Sequence, residues 1–261
     1  MEASKDLLVI QNLTKRFGGL TAVRDLSMTL TRSGIHALIG PNGSGKTTTV
    51  NLITGMLPAD EGSIIFDEHE IRGRKPYLIA RAGIRRTYQN IKLFSSLTIK
   101  ENMMVGGHSL TTAGMVRTIF DYKTHNAEER MLSEKADQIL ETVGLTGVAN
   151  RISGSQPYGI QKVSELGIAL MTDPKLILLD EPAAGLNPSE RSAFIDKVLH
   201  IKDRGIKILL IEHNMDVVMN LSEIITVLSF GSKIAEGTPS EIQNNDDVIK
   251  AYLGKKYKKI G

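Results

Sequence analysis

A glycine-rich segment, Gly40-Pro41-Asn42-Gly43-Ser44-Gly45-Lys46-Thr47, has the spacing of a loop that binds polyphosphate. It follows the apolar run from Ile35 to Ile39 and precedes a stretch compatible with a helix, which is the context that such a loop requires. Glycines leave backbone N–H groups accessible to phosphate oxygens, and the start of the helix near Lys46 adds positive potential. The Lys46 ammonium would contact the β- and γ-phosphates of a nucleotide, and the Thr47 hydroxyl can bind Mg²⁺.

Two adjacent acids form the second chemical element. The apolar run Leu176 to Leu179 ends in Asp180 and Glu181, at the end of a strand where open α/β sheets place their ligands. If Asp180 reaches the Mg²⁺ shell, Glu181 is free to orient or deprotonate a water in line with the γ-phosphate. On its own, an acidic pair in this position is more often a loop or the start of a helix. Its occurrence together with the phosphate loop favours the catalytic interpretation.

A histidine and a glutamine complete the candidate site. His213 follows the apolar run Ile206 to Ile211 by two residues, where it could sense the γ-phosphate. A lone histidine is more often structural or merely exposed. Gln89 lies in the segment RRTYQNIKLF, where its amide could contact Mg²⁺ or the attacking water and report the state of the nucleotide. Without the other candidate residues, Gln89 alone would not indicate a functional role.

The apolar pattern predicts the elements that must position these side chains. In the first thirty residues Leu26, Met28 and Leu30 alternate with polar residues, which predicts an antiparallel sheet with one solvated face. The later apolar runs predict buried parallel strands with helical connections. From about Ser95 to Glu165 the strand signal is replaced by helical spacing.

We therefore expect an α/β fold, and its phosphate-loop motif resembles that of the P-loop NTPase (RecA-like) class. Its mostly parallel sheet would carry an N-terminal antiparallel β subdomain and an inserted α-helical subdomain. The whole chain, 1–261, would be one domain, with residues 1–95 and 166–261 in the catalytic core and residues 96–165 in the helical insert.

Composition excludes several classes of protein. The chain has 32 Lys+Arg against 29 Asp+Glu, a formal net charge of +3, which argues against a dedicated nucleic-acid binder. It has no cysteine, which excludes disulfides, thiolate nucleophiles and zinc-thiolate or iron–sulfur sites and favours a reducing compartment. No apolar run approaches the length of a membrane span, so any membrane role would depend on a partner.

The order of these elements resembles the ATP-binding subunit of ABC transporters over nearly the whole chain. Within that family, five segments are similar in sequence to the ATPase subunits of branched-chain amino-acid importers. They are RFGGLTAV, RRTYQNIKLF, LLDEPAAGLNP, IEHNMDVVMNL and IAEGTP. The resemblance implies a subunit that binds and hydrolyses ATP with Mg²⁺ to power an importer. Related ATPases of amide or urea importers, and a subunit with little hydrolysis of its own, remain alternatives.

The resemblance also implies a role for each motif residue. Phe17 would stack on adenine, Asn42 to Thr48 would hold the phosphates, and Gly185 to Asn187 would face the partner ATPase. Glu181 would be the catalytic base, with Gln89 and His213 as the glutamine-loop and switch residues. Mg²⁺ would be held by Thr47, Gln89 and, through water, Asp180.

Partners follow from the same resemblance. Such domains act as head-to-tail pairs, in which a signature segment of one subunit closes over the ATP of the other. The pair drives integral membrane permease subunits, which receive solute from a binding protein, and it lies on the cytoplasmic face of the inner or plasma membrane. No nucleic-acid partner is expected.

The signature segment departs from the family pattern. Counted back from Asp180, its register falls on Gln156 to Ile160, which places Pro157 where relatives have a serine. A second segment, Ile152 to Gln156, matches the family letters better but lies four residues out of register. Proline offers neither a hydroxyl nor an N–H to the partner's γ-phosphate, and Ile168 stands where relatives commonly carry arginine. These departures favour a heterodimer with a different ATPase subunit over a homodimer.

Overall fold

The structure, a computed structural model, describes residues 6–108 and 122–253. These residues form two compact units. The first takes in the described residues up to Arg86, Lys175–Ala183 and those from Val198 onward, and the second takes in Thr87–Pro174 and Ala184–Lys197. Residues 109–121 of the predicted helical insert lie outside the described part of the chain.

An antiparallel sheet in the first unit confirms the prediction for the N-terminal residues. Strands β1 (Asp6–Phe17), β2 (Leu20–Thr31), β4 (Glu61–Phe66) and β5 (His69–Glu70) have the order β2-β1-β4-β5. In β2, Leu26, Met28 and Leu30 are buried, whereas Thr29 and Thr31 are exposed. The alternation in sequence therefore reports the two faces of this sheet.

The second sheet of this unit carries the strands that end in chemical residues. It contains β3 (Ile35–Ile39), β6 (Ile84–Arg86), β7 (Leu176–Asp180), β8 (Lys207–Ile211), β9 (Ile224–Ser229) and β10 (Ser232–Gly237), in the order β10-β9-β3-β8-β7-β6. All neighbouring pairs are parallel except β9 with β10. Every residue of β3, β7 and β8 is buried, as their continuous apolar sequences predict.

Helices connect and flank the strands. The first unit contains α1 (Lys46–Ile53), α2 (Pro76–Ala82), α7 (Met215–Leu221), α8 (Pro239–Gln243) and α9 (Asp246–Leu253). The second contains α3 (Ile99–Gly106), α4 (Tyr122–Val143) and α5 (Tyr158–Leu170), and α6 (Pro188–Asp203) has residues in both. Among the described helices, none combines the length and the apolarity that a bilayer crossing needs.

The hydrophobic core of the first unit joins its two sheets. Leu26, Leu30 and Phe66 of the antiparallel sheet belong to the same buried cluster as Leu38 and Leu178 of the mostly parallel one. Burial of side chains of this size contributes roughly 1.5–3 kcal/mol each. The strands that lead into the phosphate loop and the acidic pair are therefore fixed by the largest favourable term in folding.

A buried asparagine organises the helical unit. Asn102 in α3 is 1% exposed. Its amide nitrogen donates to the carbonyl oxygens of Phe94 and Thr98 and to Ser153 Oγ, while its Oδ1 accepts from the Phe94 N–H. Ser153 Oγ in turn donates to the Phe94 carbonyl at 3.0 Å. The segment before α3 and the turn before α5 are thus held together by buried polar contacts.

A buried histidine lies in the strand that precedes the phosphate loop. His36 Nε2 is 2.8 Å from Thr226 Oγ1, and the Thr226 hydroxyl donates to Glu236 Oε2 at 2.8 Å. Because that hydroxyl proton is used on Glu236, His36 donates through Nε2–H. Burial, and then the positive charge of Lys207, lower the pKa of His36 to about 4.

We expect the free energy of unfolding to decrease as the pH falls from about 6.5 to about 4. The unfolded chain binds a proton at the ordinary histidine pKa and the folded chain only near 4, so this contribution is present above pH 6.5 and lost below it. Its full size is roughly 2–4 kcal/mol. Urea denaturation of the wild type and of His36→Gln across this range checks it: the variant should show a shallower slope, and equal slopes would contradict the assignment.

Candidate functional site

One cleft of about 650 Å³ in the first unit gathers most of the predicted residues. It lies where β3 ends and α1 begins, and β7 and β8 end beside it. Its walls contain the phosphate loop, the end of β1, the start of β2 and the turn after β9: Phe17, Gly19, Leu20, Thr21, Ala22, Arg24, Asn42, Gly43, Ser44, Gly45, Lys46, Thr47, Thr48, Glu181, Ile211 and Phe230.

The phosphate loop has the close-packed backbone that its glycines predict. Gly40 has φ 151°, and a Cβ on it would lie 2.2 Å from the Leu228 carbonyl oxygen, so a larger residue cannot occupy this position. The Ser44 N–H donates to the Pro41 carbonyl at 3.1 Å. Ser44 Oγ is buried without a hydrogen-bond partner in the described part of the chain. An orphaned hydroxyl beside a polar cleft is a group that a ligand oxygen can satisfy.

The helix after the loop presents its positive end. Gly45 is the N-cap of α1, and the first turn contains no acidic residue, so no side chain of that turn offsets the positive potential of its N–H groups. Lys46 Nζ donates to the carbonyl oxygens of Gly40 and Pro41, at 2.7 and 3.1 Å. Burial lowers the pKa of Lys46, and the negative charges of Glu181 and Asp180 oppose that shift. The start of α1 therefore favours the binding of a negatively charged group.

Asp180, at the end of β7, is fixed by an arginine that sequence reasoning missed. Arg86 at the end of β6 donates to Asp180 Oδ2 at 2.5 Å and to Asn51 Oδ1 of α1 at 2.7 Å. The Arg86 and Asp180 side chains are 10% and 11% exposed. This ion pair holds the Asp180 carboxylate against the helix that follows the phosphate loop.

Glu181 lines the cleft in a strained backbone conformation. Its φ is 47°, which is unusual for a residue other than glycine, and its N–H donates to the Ile211 carbonyl at 2.8 Å. His213 is exposed, and its Nδ1 lies 3.7 Å from Glu181 Oε1, beyond hydrogen-bond distance. The structure thus brings these two side chains near one another at the ends of β7 and β8.

A second residue missed by sequence reasoning, Glu212, organises both of those strand ends. Its side chain is 1% exposed. One carboxylate oxygen accepts from the Ala183 N–H at 3.0 Å, and the other accepts from the N–H groups of His213 and Asn214 at 2.9 and 3.0 Å. Three charge-assisted bonds to backbone therefore set the paths of the chain after Glu181 and around His213. The available signal was an acid directly after a buried strand, the same pattern as Asp180.

Phe17 stands at the end of β1, on the rim of the cleft. Its side chain is 46% exposed, and Lys15 Nζ lies 5.4 Å from the centre of its ring. Lys15 is itself held by Asp60 at 2.9 Å. One ring face thus has a cation at cation–π distance, and the exposed ring can stack on a planar base.

Gln89 belongs to the second unit, in an exposed loop. Lys162 of α5 donates to the carbonyl oxygens of Tyr88 and Gln89, at 3.1 and 2.8 Å. Glu165 Oε1 accepts from the Tyr88 and Lys92 N–H groups, at 3.4 and 3.3 Å. Burial raises the pKa of Glu165, and Lys162 partly opposes the shift. The sequence contained no signal that these two charges are buried against the glutamine loop.

The two alternative signature registers have different surroundings within the same unit. Ser153, in the register Ile152 to Gln156, is fully buried and hydrogen-bonded to Phe94 and Asn102. Pro157 is exposed and is the N-cap of α5. Tyr158 lies against Gly185, where a Cβ would be 3.0 Å from the Tyr158 ring. The exposed end of α5 therefore lies beside the segment Gly185 to Asn187.

The chain is similar to known proteins over nearly its full length. The family model "ABC transporter" matches residues 23–184, and "Branched-chain amino acid ATP-binding cassette transporter" matches residues 232–258. The chain is 40% identical to the high-affinity branched-chain amino acid transport ATP-binding protein BraF of Pseudomonas aeruginosa, over 96% of this chain and 99% of BraF. It is 38% identical to LivG of Escherichia coli, which has the same description, with the same coverage.

Solved structures show the same architecture. The ADP conformation of MJ1267, an ATP-binding cassette of an ABC transporter, superposes with a TM-score of 0.84 at 34% identity, covering 97% of this chain and all of that one. The cbiO1 structure from Clostridium perfringens shares the fold, with a TM-score of 0.80 at 23% identity over 95% and 94% of the two chains. The α/β P-loop NTPase fold and the ABC family that the sequence predicts are confirmed. With a family model over more than half of its length and relatives that match it almost end to end, the chain belongs to the ABC transporter family of ATP-binding cassette ATPases.

Proposed function

We propose that this chain hydrolyses ATP in the cleft between the phosphate loop and Glu181, and so powers a permease that imports branched-chain amino acids. The main observation is the cleft itself, whose lining combines a helix start without a side-chain cap, a half-buried lysine and a carboxylate. The names of the full-length relatives and the match at residues 232–258 support the choice of branched-chain amino acids. The site residues and their roles are our assignments.

The phosphates would be held by Asn42 to Thr48. Backbone N–H groups at the start of α1 face the β-phosphate, and Ser44 Oγ gains the partner that it lacks. Lys46 exchanges two carbonyl acceptors for phosphate oxygens. Because burial disfavours its positive charge, an arriving polyanion is attracted more strongly than in water.

Hydrolysis would use Glu181 as the base. Its carboxylate accepts a proton from a water placed in line with the γ-phosphate, and the water oxygen bonds to phosphorus as the bond to ADP breaks. His213 would stay near Glu181 and contact the γ-phosphate, and Gln89 would orient the water. Glu212 positions both strand ends through its three bonds to backbone.

Mg²⁺ fits the oxygen ligands present. Thr47, Gln89 and, through water, Asp180 would hold it, and bound there it would neutralise charge on the β- and γ-phosphates. Arg86 pairs with Asp180 in its buried position and limits its reach. That restriction agrees with contact through water rather than direct ligation.

The assembly would follow the family arrangement. Two ATPase subunits pair head to tail on the cytoplasmic face of the membrane, bound to permease subunits that receive solute from a binding protein. Burial of Ser153 favours the register Gln156 to Ile160 for the signature segment, which places Pro157 where a hydroxyl would meet the partner's ATP. The defect therefore affects the partner's site, and we propose pairing with a different ATPase subunit.

A second function, nucleotide binding with little turnover by the isolated chain, is favoured by the same proline. Assays of ATP hydrolysis by the chain alone and with candidate second subunits separate the two. Turnover by the chain alone would show that Pro157 is compatible with a working homodimer. Turnover that requires the second subunit would support an asymmetric pair.

We expect Glu181→Gln to abolish turnover and keep nucleotide binding. The amide cannot accept the proton from water, so the rate should fall by roughly 10²- to 10⁴-fold. Phosphate release and equilibrium ATP binding are measured on the same preparation, with Glu141→Gln on an exposed helix position as the matched control. Full activity in Glu181→Gln would remove Glu181 from the mechanism.

Replacing Pro157 by serine should increase turnover by the chain alone. The hydroxyl can contact the partner's γ-phosphate, and a hydrogen bond to a charged group is worth about 1.5–3 kcal/mol, or about tenfold or more in rate. Serine also caps α5, which now begins without a side-chain cap. ATPase rates of wild type, Pro157→Ser and Pro157→Ala are compared, and equal rates for the serine and alanine variants would contradict the proposed contact.

A further inference from the structure

Phe230 is the most exposed large apolar side chain of the described residues, and it lines the nucleotide cleft. Its exposed fraction is 90%. It shares the cleft wall with two other exposed apolar side chains, Phe17 at 46% and Leu20 at 67%. Three such side chains around the opening of one polar cleft form an apolar rim, which is typical of a site that binds a ligand with a flat apolar part.

The backbone at Phe230 is in an unfavourable conformation for its residue type. Phe230 and Gly231 form the two-residue connection between β9 and β10, with φ values of 48° and 82°. Positive φ at both positions is the type I′ pattern, in which asparagine, aspartate or glycine is preferred at the first position. Phenylalanine there gains almost no burial and strains the backbone, so packing among the described residues does not explain it.

This turn is fastened directly to the phosphate loop. The Gly231 N–H donates to the Ser44 carbonyl at 3.1 Å, and the Gly231 carbonyl accepts from the Arg24 N–H at 2.8 Å. A Cβ on Gly231 would lie 2.9 Å from the Ala22 carbonyl oxygen, so the two backbones are in close contact. The ring of Phe230 is thus carried by a backbone whose position is set by the loop that holds the phosphates.

We propose that Phe230 is a second aromatic contact for the nucleoside of the bound nucleotide, in addition to Phe17. Phosphates in the loop place the sugar and base at the cleft opening, where the rim is apolar. A purine presents a flat aromatic surface that an exposed ring can cover, and such contact removes both surfaces from water. The inference rests on nucleotide binding in this cleft and adds a residue that selects for the base.

The test uses Phe230→Asn, because asparagine suits the first position of a type I′ turn. Binding of ADP, which cannot be turned over, and of inorganic tripolyphosphate is measured on the isolated chain by calorimetry. We expect the Kd for ADP to rise by about five- to tenfold, on the scale of base–aromatic stacking, while the Kd for tripolyphosphate stays within twofold. The midpoint of urea unfolding should stay equal or rise, which excludes damage to the fold.

Two further variants make the result specific. Phe230→Tyr keeps the ring and should retain the wild-type affinity for ADP. Lys46→Ala should weaken ADP and tripolyphosphate alike, and if it weakens neither, the cleft is not the nucleotide site and the proposed function fails. If Phe230→Asn binds ADP as tightly as the wild type while Lys46→Ala binds it weakly, the proposed role of Phe230 is wrong and the proposed function stands. The exposed ring would then be explained by contact with a protein partner.

Discussion

The site depends on one constraint, the close approach of the phosphate loop to two other backbone segments, β2 and the region from the end of β9 to Gly231. Gly40 approaches the Leu228 carbonyl of β9, and Gly231 approaches Ala22 of β2 and bonds to Ser44. These contacts leave no room for side chains, so the loop's N–H groups can point into the cleft instead of being screened. Both sheets of the first unit contribute a segment, which explains why one hydrophobic core must join them.

Buried charge provides the second level of organisation. Glu212 and the pair Arg86–Asp180 each connect the ends of neighbouring strands or a strand to a helix. In the second unit, Lys162 and Glu165 hold the loop that carries Gln89. The free energy lost when such charges leave water offsets most of what their bonds contribute. They therefore add little net stability. Their effect is to allow one geometry of the loops and disfavour others.

Sequence patterns predicted the strands that the site needs because those strands are buried on both faces. The range Ile35 to Ile39 agrees residue for residue with β3, and the predicted strand Leu176 to Leu179 extends by Asp180. Short strands such as β5 and β6, with two and three residues, have too few positions for a period to be visible. The capping box at the start of α8 depends only on local spacing, and there the Thr238 side chain accepts from the Glu241 N–H.

The missed residues show why the remainder of the site could not be predicted. Arg86, Glu212, Lys162 and Glu165 are charged, and charged residues are exposed by default. Arg86, Lys162 and Glu165 contact groups distant in the chain, such as Asp180 for Arg86, and no spacing rule relates such contacts. Of the four, Glu212 alone carried a signal, its position directly after a buried strand. The choice between the two signature registers had the same difficulty. In sequence, Ser153 matches the serine of the family motif, but in the structure its side chain is buried and hydrogen-bonded to Phe94.

Several residues have backbone conformations that are unfavourable for their residue type. Among the described residues other than glycine, positive φ occurs at Asn12, Asp25, Asp67, Glu68, Asp173, Glu181 and Phe230. Four of these are asparagine or aspartate, which adopt this conformation at modest cost in turns. The other three are Glu68, Glu181 and Phe230, which are of types that do not. Glu68 lies in the turn between β4 and β5, whereas Glu181 and Phe230 both line the cleft beside the phosphate loop. The strain at these two positions therefore supports the proposed contacts of their side chains with a bound nucleotide.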